Sequence, residues 1–406
     1  MLRLRITDPK VRATAVTLAH VAACLLLTWA SALHAQTPRP RARDLGVPFV
    51  GAPGPLNAIT DVAGVTVGHA TLISGDGPLK VGEGPVRTGV TVVLPRGADS
   101  NTRPTFAGWF SMNGNGEMTG TTWVEESGFL EGPVAITNTH SVGVVRDALI
   151  AWRARSAPDS SGYWWSLPVV AETYDGFLND INGFHVKERH VFEALASASG
   201  GRVAEGNVGG GTGMVCYGFK GGIGTASRRL TTQEGGYTVG VLVQANFGRR
   251  AQLMVAGAPV GTDIAEGVPY ALDQLHAARG ELGSIIIVVA TDAPLLPHQL
   301  KRLARRASLG MARTGGMSGN GSGDIFIAFS TANPDAFTGE GLATVQMMSN
   351  EDMNPVFDAT IYATEEAIIN AMTAADTMVG ADNHRVVALP HERLRAVLRK
   401  YGRLAP

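Results

Sequence analysis

The chain has 406 residues, of which 45% are hydrophobic and 51 are glycine, with 34 Lys and Arg against 35 Asp and Glu. That apolar content excludes a disordered chain, and glycine without a three-residue repeat excludes a collagen-like one. A net charge of −1 supplies no overall field for nucleic acid or an anionic membrane, and the length allows a packed core without disulfides.

Arg3, Arg5, Lys10 and Arg12 precede an apolar stretch over 13–32, and Ala30, Ala32 and Ala35 offer small residues for cleavage. This pattern predicts a secretory leader over 1–35, hence a periplasmic or secreted protein starting at Gln36; a retained membrane anchor is the alternative. Loss of the leader takes away four basic residues and Asp8, leaving 30 against 34 and a net charge of −4. It also removes Cys24, so Cys216 stands alone and no internal disulfide can form.

Residues 36–44 (QTPRPRARD) read as an exposed lead-in. Short β-like runs at 65–67, 89–94, 106–110 and 133–137, separated by glycine turns, suggest hairpins more than regular βαβ units. Residues 140–152 predict a turn entering a helix, 155–161 a polar loop, 167–172 a short strand and 188–198 a helix with Val191, Phe192 and Leu195 inward. The glycine clusters at 207–213 (NVGGGTG) and 221–224 (GGIG) read as turns or close backbone approaches rather than regular elements. Strands are predicted at 237–246 and 283–291, with an irregular surface connection over 263–280. Residues 297–311 form an amphipathic helix with Leu300, Leu303, Ala304 and Ala307 on its apolar face and a solvated basic face. A strand at 324–331 and helices at 354–378 and 391–399 complete a layered α+β chain with no evident linker.

The common short motifs for phosphate, zinc and dinucleotide binding are missing, as is the G-x-S-x-G elbow. His140 and His185 have no partners at metal-ligand spacing and read as scattered histidines. Four polar sets remain. Gly283-Ser284 opens the most apolar strand of the chain. If the bond between them breaks, one residue holds both a hydroxyl and an α-amine whose ordinary pKa, about 7.7 to 8.0, suits a base. Ser284 can make that cut by attacking the Gly283 carbonyl, although Gly-Ser before a strand also serves as a plain turn entry. Ser322 and Asp324 (NGSGD, 320–324) place a hydroxyl and a carboxylate at the entry of another strand, where they either relay a proton or form a simple Ser turn. Asn246 ends a strand and offers an amide donor to an oxyanion, or an ordinary turn. Glu172 and Tyr174 follow an apolar strand, so the carboxylate could bind a substrate ammonium and the phenol could donate to the reacting oxygen; each also has an ordinary structural reading. Glu117, Glu125 and Glu126 are secondary candidates.

At these residues the chain resembles the self-cleaving family of L-aminopeptidase/D-amidase-esterases and β-peptidyl aminopeptidases. The resemblance spans nearly all of 36–406 and is carried by LNAITDVAGVTVGH (56–69), RTGVTVVLPRG (87–97), NGNGEMTG (113–120), ITNTHSVG (136–143), ETYDGFLNDINGFHV (172–186), EGNVGGGTGM (205–214), QANFG (244–248), GSIIIVVATDAPLLPHQL (283–300) and GNGSGDIFIAFSTAN (319–333). It implies an αββα four-layer sandwich, like that of the N-terminal-nucleophile hydrolases but with distinct connectivity. It also implies a single catalytic domain cut between Gly283 and Ser284 into an α chain of 36–283 and a β chain of 284–406 that stay associated.

On this resemblance Ser284 is nucleophile and base, Ser322 and Asp324 support it, Asn246 contributes to the oxyanion hole, Tyr174 lies at the reacting centre and Glu172 receives the substrate amine. Some β-peptide-cleaving relatives have glutamate where Asp324 stands. The implied substrates are small peptides, amides or esters with a free amine, including D- or β-amino-acid compounds. No metal or organic cofactor and no nucleic acid is implied, nor a membrane once the leader is gone, and the assembly implied is a homotetramer. An amidase or esterase acting on other small acyl substrates, and a non-enzymatic periplasmic binding protein, are the alternatives.

Overall fold

A strand that is apolar on both faces must be covered on both faces. In the strand Leu282–Thr291, Ile285, Ile287 and Val289 face one core while Ile286, Val288 and Ala290 face another, and all six are fully buried. The fold supplies the two covers. The computed structural model describes residues 39–156, 165–279, 281–338 and 340–404, and from Pro40 onward the chain packs as one unit. The expected leader lies outside the described residues.

The strands are β1 (Thr66–Ser74), β2 (Val86–Leu94), β3 (Thr105–Gly114), β4 (Phe129–Leu130), β5 (Val134–Asn138), β6 (Val169–Thr173), β7 (Val215–Cys216), β8 (Phe219–Lys220), β9 (Gly222–Arg229), β10 (Thr238–Asn246), β11 (Leu282–Thr291), β12 (Gly321–Ser330), β13 (Met378–Val379) and β14 (Arg385–Val386). The helices are α1 (Thr121–Ser127), α2 (Val142–Ser156), α3 (Glu188–Ser197), α4 (Val260–Asp263), α5 (Tyr270–Arg279), α6 (Pro297–Arg313), α7 (Asn354–Thr373) and α8 (His391–Lys400). One sheet has the order β1-β2-β5-β6 and the other β4-β3-β12-β11-β10-β9. Val93, Ile136 and Ala171 of the first meet Leu242, Ile286 and Ile327 of the second between the sheets. Helices α2 and α3 cover the outer face of the smaller sheet through Val145, Leu149 and Val191, and α6 and α7 cover the larger through Leu303, Ala307, Ala363 and Ala367. The order of layers is therefore αββα.

Several expectations are corrected. The pairs β5·β6 and β11·β12 are parallel and are joined through helices α2 and α6, so βαβ units stand beside the β1·β2 hairpin. Residues 222–224 begin strand β9, a regular element after all, and of the two readings of that cluster the close backbone approach holds and the turn does not, because a Cβ on Gly224 would lie 2.0 Å from the Ala367 carbonyl oxygen of α7. The connection at 263–280 contains helix α5, whose Ala, Leu and Gln are good helix formers and whose polarity reflects a largely exposed face. Helix α2 runs on through Ser156, and the rest of the expected polar loop lies outside the described residues.

Candidate active site

Strand order brings the predicted residues to one sheet end. Asn246, last in β10, is the antiparallel partner of Ser284 in β11, while β12 runs parallel to β11 and sets Ser322 beside Gly283 and Asp324 beside Ile285. Gly283 has no room for a side chain, since a Cβ there would sit 2.5 Å from the Asn246 carbonyl oxygen and 2.8 Å from the Phe247 Cα. The Gly283-Ser284 peptide bond thus lies inside a tightly paired strand.

Alternation then separates these residues into two groups. Ser284 shares the parity of Ile286 and Val288 and Asn246 that of Leu242, so both point between the sheets, whereas Ser322 and Asp324 share the parity of Phe326 and Ala328 and point toward the helices. Glu172, Tyr174, Asn246, Gly283 and Ser284 line a single cavity of about 620 Å³. Ser322 and Asp324 do not line it. They are fully buried within β12, which corrects the expectation of an exposed pair at a strand mouth. Asp324 reaches Ser284 from behind, through the backbone: its carboxylate accepts from the Ile285 N–H, from Ser318 and, at 2.7 Å, from Ser322. Burial pushes this carboxyl above its ordinary range and the three donors oppose the rise.

Glu172, at 3% exposure, sits in β6 facing the cavity. One carboxylate oxygen accepts from the Glu117 N–H at 3.0 Å and the other from the Thr139 hydroxyl. Burial raises its pKa, with those two donors pulling it back. No Lys, Arg or His forms an ion pair with it among the described residues, and His140 acts on it only through a weaker charge interaction, so a buried carboxylate faces the cavity without an ion-pair partner. The Asn246 amide is held at both ends, with Oδ1 accepting from the Val215 N–H at 2.8 Å and Nδ2 donating to the Tyr174 carbonyl at 2.9 Å. One N–H of that amide remains available. The Tyr174 phenol folds over Gly176, where a Cβ would come within 2.3 Å of its oxygen, and burial followed by Asp175 raises its pKa. The Ser284 hydroxyl has no hydrogen-bond partner among the described residues and opens to the cavity.

Sequence reasoning missed the supporting parts. Thr139 lay within the segment ITNTHSVG without a role and Glu117, in NGNGEMTG, only as a secondary candidate; the Thr139 hydroxyl and the Glu117 N–H grip Glu172. Lys220 is fully buried, its pKa brought down to about 7 by desolvation, and its Nζ donates to the Met214, Gly221 and Gly211 carbonyls. It thereby fixes the loop whose next residue, Val215, holds Asn246. Phe177, Leu272 and His384 form further walls that no local pattern marked. Among the described residues, no group of three or more His, Cys, Asp or Glu is arranged to hold a metal ion.

Two stacked sheets between helical layers, opening at strand ends onto such a cavity, define an Ntn-hydrolase type of fold. The L-aminopeptidase D-Ala-esterase/amidase of Ochrobactrum anthropi, reported as a prototype for the serine aminopeptidases and a new variant among the Ntn hydrolase fold, superposes with a TM-score of 0.83 at 52% identity, covering 90% of this chain and 100% of that one. A Burkholderia sp. β-aminopeptidase gives a TM-score of 0.81 at 49% identity, covering 89% of this chain and 99% of that one. In sequence, the β-peptidyl aminopeptidase BapA of Sphingosinicella microcystinivorans is 58% identical over 374 residues, 90% of this chain and 93% of that protein. The model of peptidase family S58 matches residues 57–386, and the chain belongs to that family. It is an aminopeptidase by class.

Proposed function

We propose that this chain is a self-processing serine aminopeptidase, cut between Gly283 and Ser284, that releases N-terminal residues from short peptides, amides and esters with a free amine, β- and D-amino-acid compounds included. The observation that carries this reading is the buried carboxylate of Glu172, without an ion-pair partner, in the same cavity as the unengaged hydroxyl of Ser284. Such a carboxylate rewards an ammonium and offers nothing comparable to an internal peptide bond. The name and 58% identity of the Sphingosinicella relative support β-amino-acid substrates.

In the reaction the substrate ammonium lies at Glu172 and its carbonyl oxygen at the free N–H of Asn246. Ser284 Oγ attacks the carbonyl carbon while its proton passes to the α-amine of the same residue, steadied by Asp324 and Ser322 behind the strand. The tetrahedral intermediate collapses, the C–N or C–O bond breaks and the leaving group takes that proton. Water then attacks the acyl-enzyme ester, returns the proton to Ser284 Oγ and frees the amino acid. In the first cut Ser284 Oγ attacks the Gly283 carbonyl carbon, the Gly283-Ser284 C–N bond breaks as the hydroxyl proton ends on the nitrogen that becomes the α-amine, and water hydrolyses the resulting ester to a Gly283 carboxylate and a free Ser284 hydroxyl.

The two products interlock. After cleavage β11 of the new chain remains paired with β10 of the other, and α7 still covers β9, which supports lasting association. The predicted leader supports export to the periplasm or beyond. A homotetramer rests on the resemblance to the family, and the exposed apolar side chains Phe337, Leu342 and Met347 are available for contact between copies. Intact mass of the purified protein tests the central step: two fragments are expected, the second starting at Ser284, and Ser284→Ala should give one inactive chain. Active protein with residues 283 and 284 still joined in every molecule overturns the reading.

A further inference from the structure

The cavity is lined by two carboxylates, Glu117 and Glu172, and by no Lys or Arg. His384 is the one lining side chain able to carry a positive charge. It stands on the turn between β13 and β14, and that turn is fixed against the segment that follows Tyr174. The Ala381 N–H donates to the Leu178 carbonyl at 2.8 Å, and a Cβ on Gly380 would come within 2.1 Å of the same oxygen. The His384 ring stacks on Phe177 with centroids 4.3 Å apart and planes 6° from parallel.

Its tautomer follows from its partner. Nδ1 lies 2.9 Å from the Phe177 carbonyl oxygen, which can only accept, so Nδ1 carries a hydrogen. Nε2 is then the free position of the ring, an acceptor when the imidazole is neutral and a cationic donor when it is protonated. No hydrogen bond or ion pair occupies Nε2 among the described residues. Glu172 is held by other segments, the 115–117 loop and Thr139, so the anionic receiver and the basic side chain line one cavity but are set independently of each other.

Resting on the reading of Ser284 and Glu172 given above, we propose that His384, protonated at Nε2, donates from that nitrogen to the free carboxylate of the leaving residue when the substrate is a dipeptide, which makes His384 a specificity-determining residue. A dipeptide then spans the cavity with its ammonium on Glu172, its scissile carbonyl at Ser284 and its carboxylate on His384. Carboxamides and esters forgo the last contact and still react, because nothing in the lining demands an anion.

The test compares one free-amine dipeptide with its C-terminal carboxamide, using wild-type enzyme, His384→Asn and His384→Gln. Asparagine keeps a donor where Nδ1 stands and deletes Nε2, while glutamine reaches the Nε2 position. His384→Asn is expected to lower kcat/KM for the dipeptide about tenfold, mainly through KM, with less than about a twofold change for the carboxamide. His384→Gln should recover part of the loss. Equal losses on both substrates, as a purely structural role would give, or no loss on either, overturn the proposal. Loss of wild-type turnover in Ser284→Ala establishes the underlying site separately, and turnover that survives that substitution sinks the site reading itself.

Discussion

Replacing Glu172 by glutamine tests the ammonium anchor with little disturbance of shape. Glutamine has the same size, can accept from the Glu117 N–H through its carbonyl and can donate to the Thr139 hydroxyl, so both anchors survive while the charge is lost. An ammonium bound to a buried carboxylate through a charge-assisted hydrogen bond is worth about 2 to 3 kcal/mol, which corresponds to about 30- to 150-fold in kcat/KM. That loss is expected for unblocked amino-acid amides, while N-acetylated analogues, which have no ammonium, should change little.

Stability should move the other way. Burial raises the Glu172 pKa in the folded state, so its favourable contribution is present below the ordinary carboxyl range and lost as pH rises through the raised value. Above that raised value the ionised side chain burdens the fold, and there the Tm of Glu172→Gln should equal or exceed that of the wild type. Steady-state kinetics on the matched amides and a thermal melt above that pH make the measurement. Unchanged turnover of the free amine, or an equal fall on the blocked substrate, refutes the assignment of Glu172.

Gly283→Ala forces a methyl group against the Asn246 carbonyl and Phe247 Cα, so both the fold and the scissile geometry should suffer. A destabilisation of about 1 to 3 kcal/mol is expected, with slower appearance of the two fragments on a denaturing gel, and an unaltered melt with normal processing would contradict the packing argument. Ser322→Ala removes one of the three donors that hold the Asp324 carboxyl down against burial, so its pKa should rise further and the acidic limb of the pH–rate profile should move to higher pH. A limb that stays in place would show that ionised Asp324 has no part in the rate.

Much of the architecture was legible from local pattern. The unbroken apolar run of β11, the apolar stripe of α6 and the helix at α3 follow from local side-chain pattern, which any window of the chain carries within itself. The glycines at 222–224 misled because a missing Cβ signals either a turn or a close approach, and the partner that decides between them, Ala367 in α7, lies far along the chain.

The candidate site divides in the same way. The residue types at 172, 246, 284, 322 and 324, and their family pattern, were determined by the sequence alone. Only the tertiary structure decided that Ser284 and Asn246 face the cavity while Ser322 and Asp324 stand behind the strand, that Thr139 and His384 complete the walls, and that Lys220 fixes the loop holding Asn246. The physical reason is that a side chain's face and neighbours depend on register with strands drawn from distant segments, and a short stretch of chain holds no record of that register.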